Sequence, residues 1–133
     1  MSSVCILVAD DFVPWRLRVR ELLHGRPEWH LEDACDGHEA VQKSADLLPD
    51  VVLLDIGIPV LNGIDAAKKI RREAPRSAII FVTESADEDV KAAVLALGAQ
   101  GYLSKANAVT ELLPAIETVL CNEHQGLRVE ESQ

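Results

Sequence analysis

Five polar residues in this sequence follow short apolar runs, and their side chains suit phosphoryl chemistry. They are Asp10, Asp11, Asp55, Thr83 and Lys105. A carboxylate can attack phosphorus and form an acyl phosphate that water later hydrolyses. Clustered carboxylates repel each other unless a cation offsets them, and hard oxygen ligands suit Mg²⁺. A lysine and a hydroxyl would supply the positive charge and the donor that an incoming phosphoryl group needs.

Asp55 is the candidate nucleophile. It follows the apolar residues Val51–Leu54, which are too few for a helix and rich in Val and Leu, as a buried strand is. The turn-forming residues after it, with Pro59 and Asn62-Gly63, predict a loop before the next helix. An aspartate after a strand often caps the following helix, but Asn62 is better placed for that. Asp55 is therefore free for chemistry.

Short apolar runs alternate with helical patterns along the whole chain. Strands are predicted at residues 4–9, 29–35, 51–54, 78–83 and 100–104, and helices at 14–24, 38–48, 64–74, 87–97 and 107–121. Pro114 predicts a kink in the last helix or a start nearer Thr110. The alternation implies parallel strands joined by right-handed crossovers. We predict an α/β fold, a flavodoxin-like (βα)5 three-layer sandwich with a five-stranded parallel sheet in the order 2-1-3-4-5.

This topology would bring the five polar residues to one rim of the sheet. Asp10 and Asp11 follow strand 1 and Asp55 follows strand 3, which meet at the switch point where such sheets bind ligands. Thr83 and Lys105 stand at the ends of strands 4 and 5. Each residue alone is weak evidence, because acidic pairs are often solvated loops and a single lysine is usually on the surface. In combination they predict phosphoryl transfer to an aspartate.

Composition and charge restrict the class of protein. With 133 residues, 48% hydrophobic, the chain suits one globular domain, and its apolar runs are too short to cross a membrane. The N-terminus lacks the basic start of a signal peptide, so we expect a cytoplasmic protein. A net charge of −9 argues against direct contact with nucleic acid. The widely spaced Cys5, Cys35 and Cys121 predict buried packing thiols in a reducing cytosol.

Two groups of basic residues are predicted to form solvated helix faces. They are Arg16, Arg18 and Arg20 in the first helix, and Lys68, Lys69, Arg71 and Arg72 in the third. Contact with an acidic partner is the alternative for the first group. The polar residues 123–133 show no periodicity, so they are expected to be a frayed tail or the start of a linker.

The chain resembles the response regulator receiver domains of two-component signalling over about residues 4–120. The resemblance rests on the acidic pair after strand 1, the segment LLDIGIPVLNGID, the VT of strand 4 and the GYLSK of strand 5. It is most similar to receivers of the NarL/FixJ type, which usually precede a helix-turn-helix domain. The resemblance implies a receiver over residues 1–122, phosphorylated by a sensor histidine kinase or a phosphotransfer protein. It also implies a homodimer on phosphorylation and an output through another domain, in transcription regulation.

The resemblance also implies roles for individual residues. Asp55 would be the phospho-acceptor, with Mg²⁺ (or Mn²⁺) bound by Asp11, Asp55 and the Gly57 carbonyl, and with Asp10 acting mainly through water. Lys105 and Thr83 would contact the phosphoryl group. Tyr102 would swing inward behind Thr83 and alter the surface of helix 4, strand 5 and helix 5, although a single aromatic residue on a strand is more often half-buried packing.

Two residues depart from the family pattern. Glu84 follows Thr83, the switch threonine that the resemblance implies, at a position where the family usually has a small residue. Its charge is expected to hinder phosphoryl access or to change the lifetime of the phosphorylated state. Ala106 follows the lysine in place of the common proline and its cis bond. A cis bond before Ala106 would cost about 3 kcal/mol and would need support from the site.

Four other functions compete with this one, and the sequence argues against the first two. A flavodoxin-like flavin binder would need a hydroxyl- and glycine-rich loop where this chain has Asp10-Asp11. A haloacid-dehalogenase-type phosphatase would need a second acid at Gly57. A pseudo-receiver that docks without phosphorylation has Glu84 as its only support, and a single-domain phosphorelay protein would have no output domain.

Overall fold

Five parallel strands and five helices alternate along the chain. The computed structural model describes residues 3–84 and 86–131, with the backbone alone for 123–131. The strands are β1 Val4–Ala9, β2 Trp29–Ala34, β3 Val51–Leu54, β4 Ala78–Thr83 and β5 Gly101–Ser104. The helices are α1 Val13–Leu23, α2 Gly37–Leu47, α3 Gly63–Glu73, α4 Glu88–Ala96 and α5 Ala108–Glu131. The 3₁₀ turn Lys105–Asn107 joins β5 to α5.

The sheet has the predicted order, β2-β1-β3-β4-β5, with every neighbouring pair parallel. Alternate side chains of the central strands enter two separate cores. Ile6 and Val8 pack with residues of α1 and α5. Leu7 and Ala9 pack with residues of α2, α3 and α4. Burial on both faces is what makes these strands read as continuous apolar runs, and the predicted three-layer flavodoxin-like fold is confirmed.

Side-chain caps begin three of the helices. Asn62 Oδ1 accepts a hydrogen bond from the Asp65 N–H at 3.0 Å, as predicted, so Asp55 does not cap α3. Asp36 caps α2 and Asp87 caps α4 in the same way. Gly98, at φ +100°, follows the end of α4 in the left-handed region. These caps set where each loop of the rim gives way to a helix.

The last helix departs from its predicted course. It starts at Ala108, which agrees with the predicted start at residue 107 and not with the alternative near Thr110, but its backbone stays helical to Glu131, well beyond the expected end near residue 121. Pro114 lies inside it. Leu112, Ile116 and Val119 on the flanking turns are buried against the sheet, and this packing outweighs the hydrogen bond that proline removes.

Two predictions about side-chain exposure are wrong. Cys35 and Cys121 are exposed and Cys5 is only partly buried, so the cysteines are not the predicted set of packing thiols. Cys35 follows the edge strand β2, where the apolar layer is already thin. Arg71 is not on a solvated face, because its guanidinium is half-buried and donates to the Gly98 carbonyl at 3.3 Å.

β2 is one of the two edge strands, and polar side chains cover it. His30 is exposed, and Glu32 and Asp33 are half-buried. The other edge strand, β5, has only four residues. In the part of the chain that the structure describes, no helix is both long and apolar enough to cross a membrane.

Candidate functional site

The sheet itself positions the predicted site residues. The Asp55 N–H donates to the Ala9 carbonyl at 3.1 Å, so Asp55 continues the β3 ladder beside the end of β1. Asp10 follows Ala9 directly, and its own N–H donates to the Ala34 carbonyl of β2. Thr83 ends β4 opposite Ser104 of β5, and Lys105 comes next. All five predicted residues therefore lie along one rim of the sheet, at the carboxyl ends of its strands.

Three carboxylates meet at this rim. One oxygen each of Asp10, Asp11 and Asp55 lies within 4.8 Å of the others. Asp10 is buried, Asp55 is half-buried and Asp11 is exposed. Asp10 Oδ1 accepts a hydrogen bond from the Phe12 N–H at 2.8 Å, which fixes its carboxylate. The cluster therefore has a fixed inner member and a side open to solvent.

Lys105 pairs with the buried member of this cluster, Asp10. Its ammonium nitrogen is 2.8 Å from Asp10 Oδ2 and 5.3 Å from the centroid of the Trp15 ring. Burial, the largest single effect, lowers the pKa of Lys105, whereas the hydrogen bond to Asp10 and the charge of Asp10 raise it. The charges of Asp55 and Glu84 act in the same direction, so this pKa lies above its usual value. Lys105 is a fixed cation of the site at neutral pH.

The Asp55 carboxyl has a raised pKa. Burial is the main cause, and the neighbouring charge of Asp10 adds to it. Lys105 and the Gly57 N–H favour the charged form but do not compensate fully, while Asp11 opposes it slightly. Burial of the Asp55 carboxyl, together with the charge of Asp10, thus outweighs the stabilisation that Lys105 and the Gly57 N–H provide.

A hard divalent cation fits this set of ligands. Three carboxylates with converging oxygens, one of them open to solvent, match the oxygen ligands and retained waters that Mg²⁺ prefers. A cation would also relieve the repulsion that raises the pKa of Asp55. Gly57 is close by, since a Cβ built on it would lie 3.9 Å from Asp55 Oδ2.

Arg16 belongs to the surroundings of the site, and sequence reasoning missed it. Its guanidinium donates to the Asp10 carbonyl at 2.6 Å and lies 3.8 Å from an oxygen of Asp33. The prediction of a solvated face is therefore wrong for Arg16. The available signal was helical spacing, because Arg16 is three residues before the buried Val19 and seven before Leu23.

Glu84 lies directly at the site. Its side chain is 79% exposed, and Oε1 is 3.4 Å from the Lys105 nitrogen, whose side chain is 12% exposed. A cavity of about 420 Å³ opens beside this pair, lined by Phe12, Pro14, Trp15, Arg18, Glu84, Lys105 and Ala106. The Lys105–Ala106 peptide is trans, so the cis bond considered from the sequence is absent there.

Tyr102 connects β5 to the start of α4. Its half-buried ring packs against the core shared with α2 and α3, and its hydroxyl accepts a hydrogen bond from the Asp87 N–H at 3.0 Å. Asp87 is the cap of α4. The position of the Tyr102 ring is therefore coupled to the first turn of that helix. Thr83 is half-buried. Tyr102 pairs in register with Phe81, which lies two residues before Thr83 on β4.

A comparison with known protein families identifies the family of this chain. The model of the response regulator receiver domain matches residues 6–117. The chain belongs to the response regulator receiver domain family. Members of this family are signalling modules that bind Mg²⁺ at an acidic pocket and interact with histidine kinases or phosphotransfer proteins.

Individual relatives differ in what accompanies the receiver. A protein-glutamate methylesterase/protein-glutamine glutaminase 1 of Methanosarcina acetivorans is 37% identical over 106 residues, 77% of this chain and 30% of that protein. The transcriptional regulatory protein LiaR of Bacillus subtilis is 34% identical over 112 residues, 84% of this chain and 53% of that protein. The chain thus spans only about a third to a half of these curated relatives.

A solved structure matches the chain over nearly its full length. It is a two-component response regulator of the LuxR family from Aurantimonas sp. SI85-9A1, with a TM-score of 0.83 and 27% identity. The match covers 99% of this chain and 100% of that one.

Proposed function

We propose that Asp55 accepts a phosphoryl group from a sensor histidine kinase or a phosphotransfer protein. The observation that carries this proposal is the placement of the Asp55 carboxylate within 4.8 Å of Asp10 and Asp11 oxygens, beside a lysine paired with Asp10. A half-buried carboxylate at a strand end, next to a fixed cation, is suited to attack phosphorus in line.

Asp10, Asp11, Asp55 and the Gly57 carbonyl would hold Mg²⁺ (or Mn²⁺). When bound, the ion offsets the negative charge of the carboxylates and of the transferred group. Asp10 is buried and already pairs with Lys105, so it is the member suited to act through water. Asp11 is exposed and able to turn toward an ion.

Lys105 would hold the phosphoryl oxygens, and Thr83 would donate its hydroxyl to them. Tyr102 would follow Thr83 inward and give up its hydrogen bond from the Asp87 N–H, which would loosen the start of α4. The changed surface would be that of α4, β5 and α5, where a homodimer or another partner would bind. A phosphoryl charge on Asp55 would in this way change the surface of α4, β5 and α5 through Thr83 of β4 and Tyr102 of β5.

Incubation with Mg²⁺ and acetyl phosphate, followed by intact-mass measurement, tests this function. We expect one phosphate adduct in the wild type that requires Mg²⁺ and is absent from Asp55→Asn. Asp46→Asn, which removes an exposed carboxylate of α2, should keep the adduct. No adduct, together with no response to beryllofluoride, would contradict the proposal and favour a pseudo-receiver that docks without phosphorylation.

We further propose that residues 1–122 form a receiver of the NarL/FixJ type and that 123–133 begin a linker to an output domain. The support is the likeness to LiaR and to the LuxR-family structure. Transcription regulation is then the expected output, with DNA bound by that other domain, since this segment carries a net charge of −9.

The methylesterase relatives support a second output. Reading the gene beyond codon 133 distinguishes the two, because a helix-turn-helix sequence would support transcription regulation and a methylesterase sequence would contradict it. A stop codon would instead favour a single-domain phosphorelay protein.

A further inference from the structure

Glu84 places a negative charge against the cation that would receive the phosphoryl group. Its Oε1 is 3.4 Å from the Lys105 nitrogen, and Asp10 Oδ2 is 2.8 Å from the same nitrogen. Lys105 is thus shared between two carboxylates. Asp10 is buried, whereas Glu84 is 79% exposed and therefore faces whatever approaches from solvent.

The direction of the transfer places the leaving group near Glu84. In-line displacement puts the leaving group on the side of phosphorus opposite the nucleophile. Asp55 is half-buried, so a donor and its leaving group have to lie toward solvent, where the exposed Glu84 carboxylate stands 3.4 Å from the Lys105 nitrogen. The cavity of about 420 Å³ beside Glu84 and Lys105 has room for a small leaving group.

We propose that Glu84 is a specificity-determining residue that selects phosphodonors by the charge of the group that leaves. It disfavours donors with an anionic leaving group, such as acyl phosphates. It favours N-phosphoryl donors whose nitrogen carries positive charge, the class to which a protonated phosphohistidine belongs. This inference rests on the proposed phosphorylation of Asp55.

The charges of the two donor classes follow from the bonds that change. With acetyl phosphate, a bond forms between an Asp55 oxygen and phosphorus while the P–O bond to the acetyl group breaks. The electron pair leaves on acetate, which gains its negative charge as it departs past Glu84. With phosphoramidate, the P–N bond breaks and its electron pair returns to nitrogen, so ammonia leaves with its own three hydrogens and no negative charge develops.

The test compares second-order rate constants of phosphorylation by acetyl phosphate and by phosphoramidate, measured by intact mass in Mg²⁺ buffer. Glu84→Gln should raise the rate with acetyl phosphate about threefold to tenfold, the effect of one nearby charge partly screened by water. The rate with phosphoramidate should stay the same or fall. The ratio of the two rates is the decisive quantity, because a merely structural effect would change both rates alike.

Two further variants control for charge and for folding. Glu84→Asp should keep the preference of the wild type. Glu73→Gln removes the same formal charge of −1 from the exposed end of α3 and should leave the ratio of the two rates unchanged. An unchanged ratio in Glu84→Gln, or an equal change in Glu73→Gln, overturns the inference while leaving phosphorylation of Asp55 intact. No adduct from either donor in any variant overturns the proposed function itself.

Discussion

At the scale of single residues, Val60 holds a conformation that its side chain disfavours. It lies in the loop between β3 and α3 with φ +74°, and its side chain is 79% exposed. The Leu61 N–H donates to the Pro59 carbonyl at 2.9 Å across it, which makes a tight three-residue turn. The Gly37 N–H at the start of α2 donates to the same carbonyl at 3.0 Å. These two hydrogen bonds hold a β-branched residue in the left-handed region, next to the loop that carries Asp55.

We therefore expect Val60→Gly to stabilise the protein by about 1 kcal/mol, because glycine relieves the left-handed strain and offsets its own extra entropy in the unfolded chain. Urea unfolding monitored by circular dichroism measures this. Val60→Ala is the matched control, since alanine removes the exposed methyls but still disfavours positive φ, and it should gain clearly less. A Val60→Gly variant no more stable than the wild type would show that the turn is not strained.

At the scale of elements, α3 approaches the backbone of the site more closely than any side chain would allow. A Cβ built on Gly63 would lie 2.4 Å from the Asp55 carbonyl oxygen, and the Gly63 N–H donates to the Ile56 carbonyl at 2.8 Å. The first residue of α3 is thus in direct contact with the residue that delivers the nucleophile. A shift of this helix would move Asp55.

Gly63→Ala should cost about 1–3 kcal/mol of stability, as overpacking against backbone does, and should slow phosphorylation of Asp55. Chemical unfolding and the intact-mass assay measure the two effects. Gly25→Ala is the control, because nothing lies within 4 Å of its added Cβ and its φ is not in the left-handed region. It should leave both stability and phosphorylation nearly unchanged, and a similar loss in both variants would contradict the role of the close approach.

The order and type of the elements followed from the sequence because the strands are buried on both faces. Runs such as Val51–Leu54 then carry no polar residue, and turn residues mark their ends. The start of α5 was predicted to within a residue, but Pro114 also suggested a later start near Thr110, which burial of Leu112 and Ile116 overrides. The exposure of Cys35 was misjudged even though the predicted order places β2 at the edge of the sheet, because the cysteines were assigned from their spacing and not from their place in the fold.

Within the site, strand ends were predictable and contacts between them were not. Asp10, Asp55 and Lys105 each follow an apolar run, so topology alone brought them together. The contact of Lys105 with the Trp15 ring and the bond from Arg16 to the Asp10 carbonyl join elements distant in sequence, and only packing shows them. The sequence showed that Glu84 departs from the family pattern, but only the structure shows that its carboxylate lies 3.4 Å from the Lys105 nitrogen.

At the scale of the whole molecule, the acidic site costs stability when no cation is bound. The folded protein raises the pKa of Asp55, so protonation of this carboxyl favours folding and its ionisation opposes folding. The stability that the protonated Asp55 carboxyl contributes is therefore present at low pH and is lost as pH rises through the pKa of this group in the folded protein. In metal-free buffer at pH 7, Asp55→Asn should be more stable than the wild type, with a melting temperature higher by a few degrees.

The advantage of Asp55→Asn should shrink as pH falls from 7 toward about 4, the ordinary pKa of aspartate, where the wild-type carboxyl is also neutral. Millimolar Mg²⁺ should stabilise the wild type more than Asp55→Asn. An ion that binds only the folded state raises the melting temperature by mass action, and the variant has lost one of the carboxylates that would bind it. Thermal scans at several pH values test both points. Asp46→Asn should show neither effect. A wild type with a higher melting temperature than Asp55→Asn in metal-free buffer at pH 7 would contradict the prediction that ionised Asp55 opposes folding.

The polar cover of β2 also determines how copies of this domain meet. An open sheet edge is a template for strands of another chain, and charged side chains along it oppose such pairing. His30, Glu32 and Asp33 provide that opposition on one edge, and the four residues of β5 leave little to pair with on the other. Extension of the sheet from one molecule into the next is therefore disfavoured. The proposed association through α4, β5 and α5 would therefore rest on side-chain contacts and not on a sheet shared between two molecules, so it would be able to separate again.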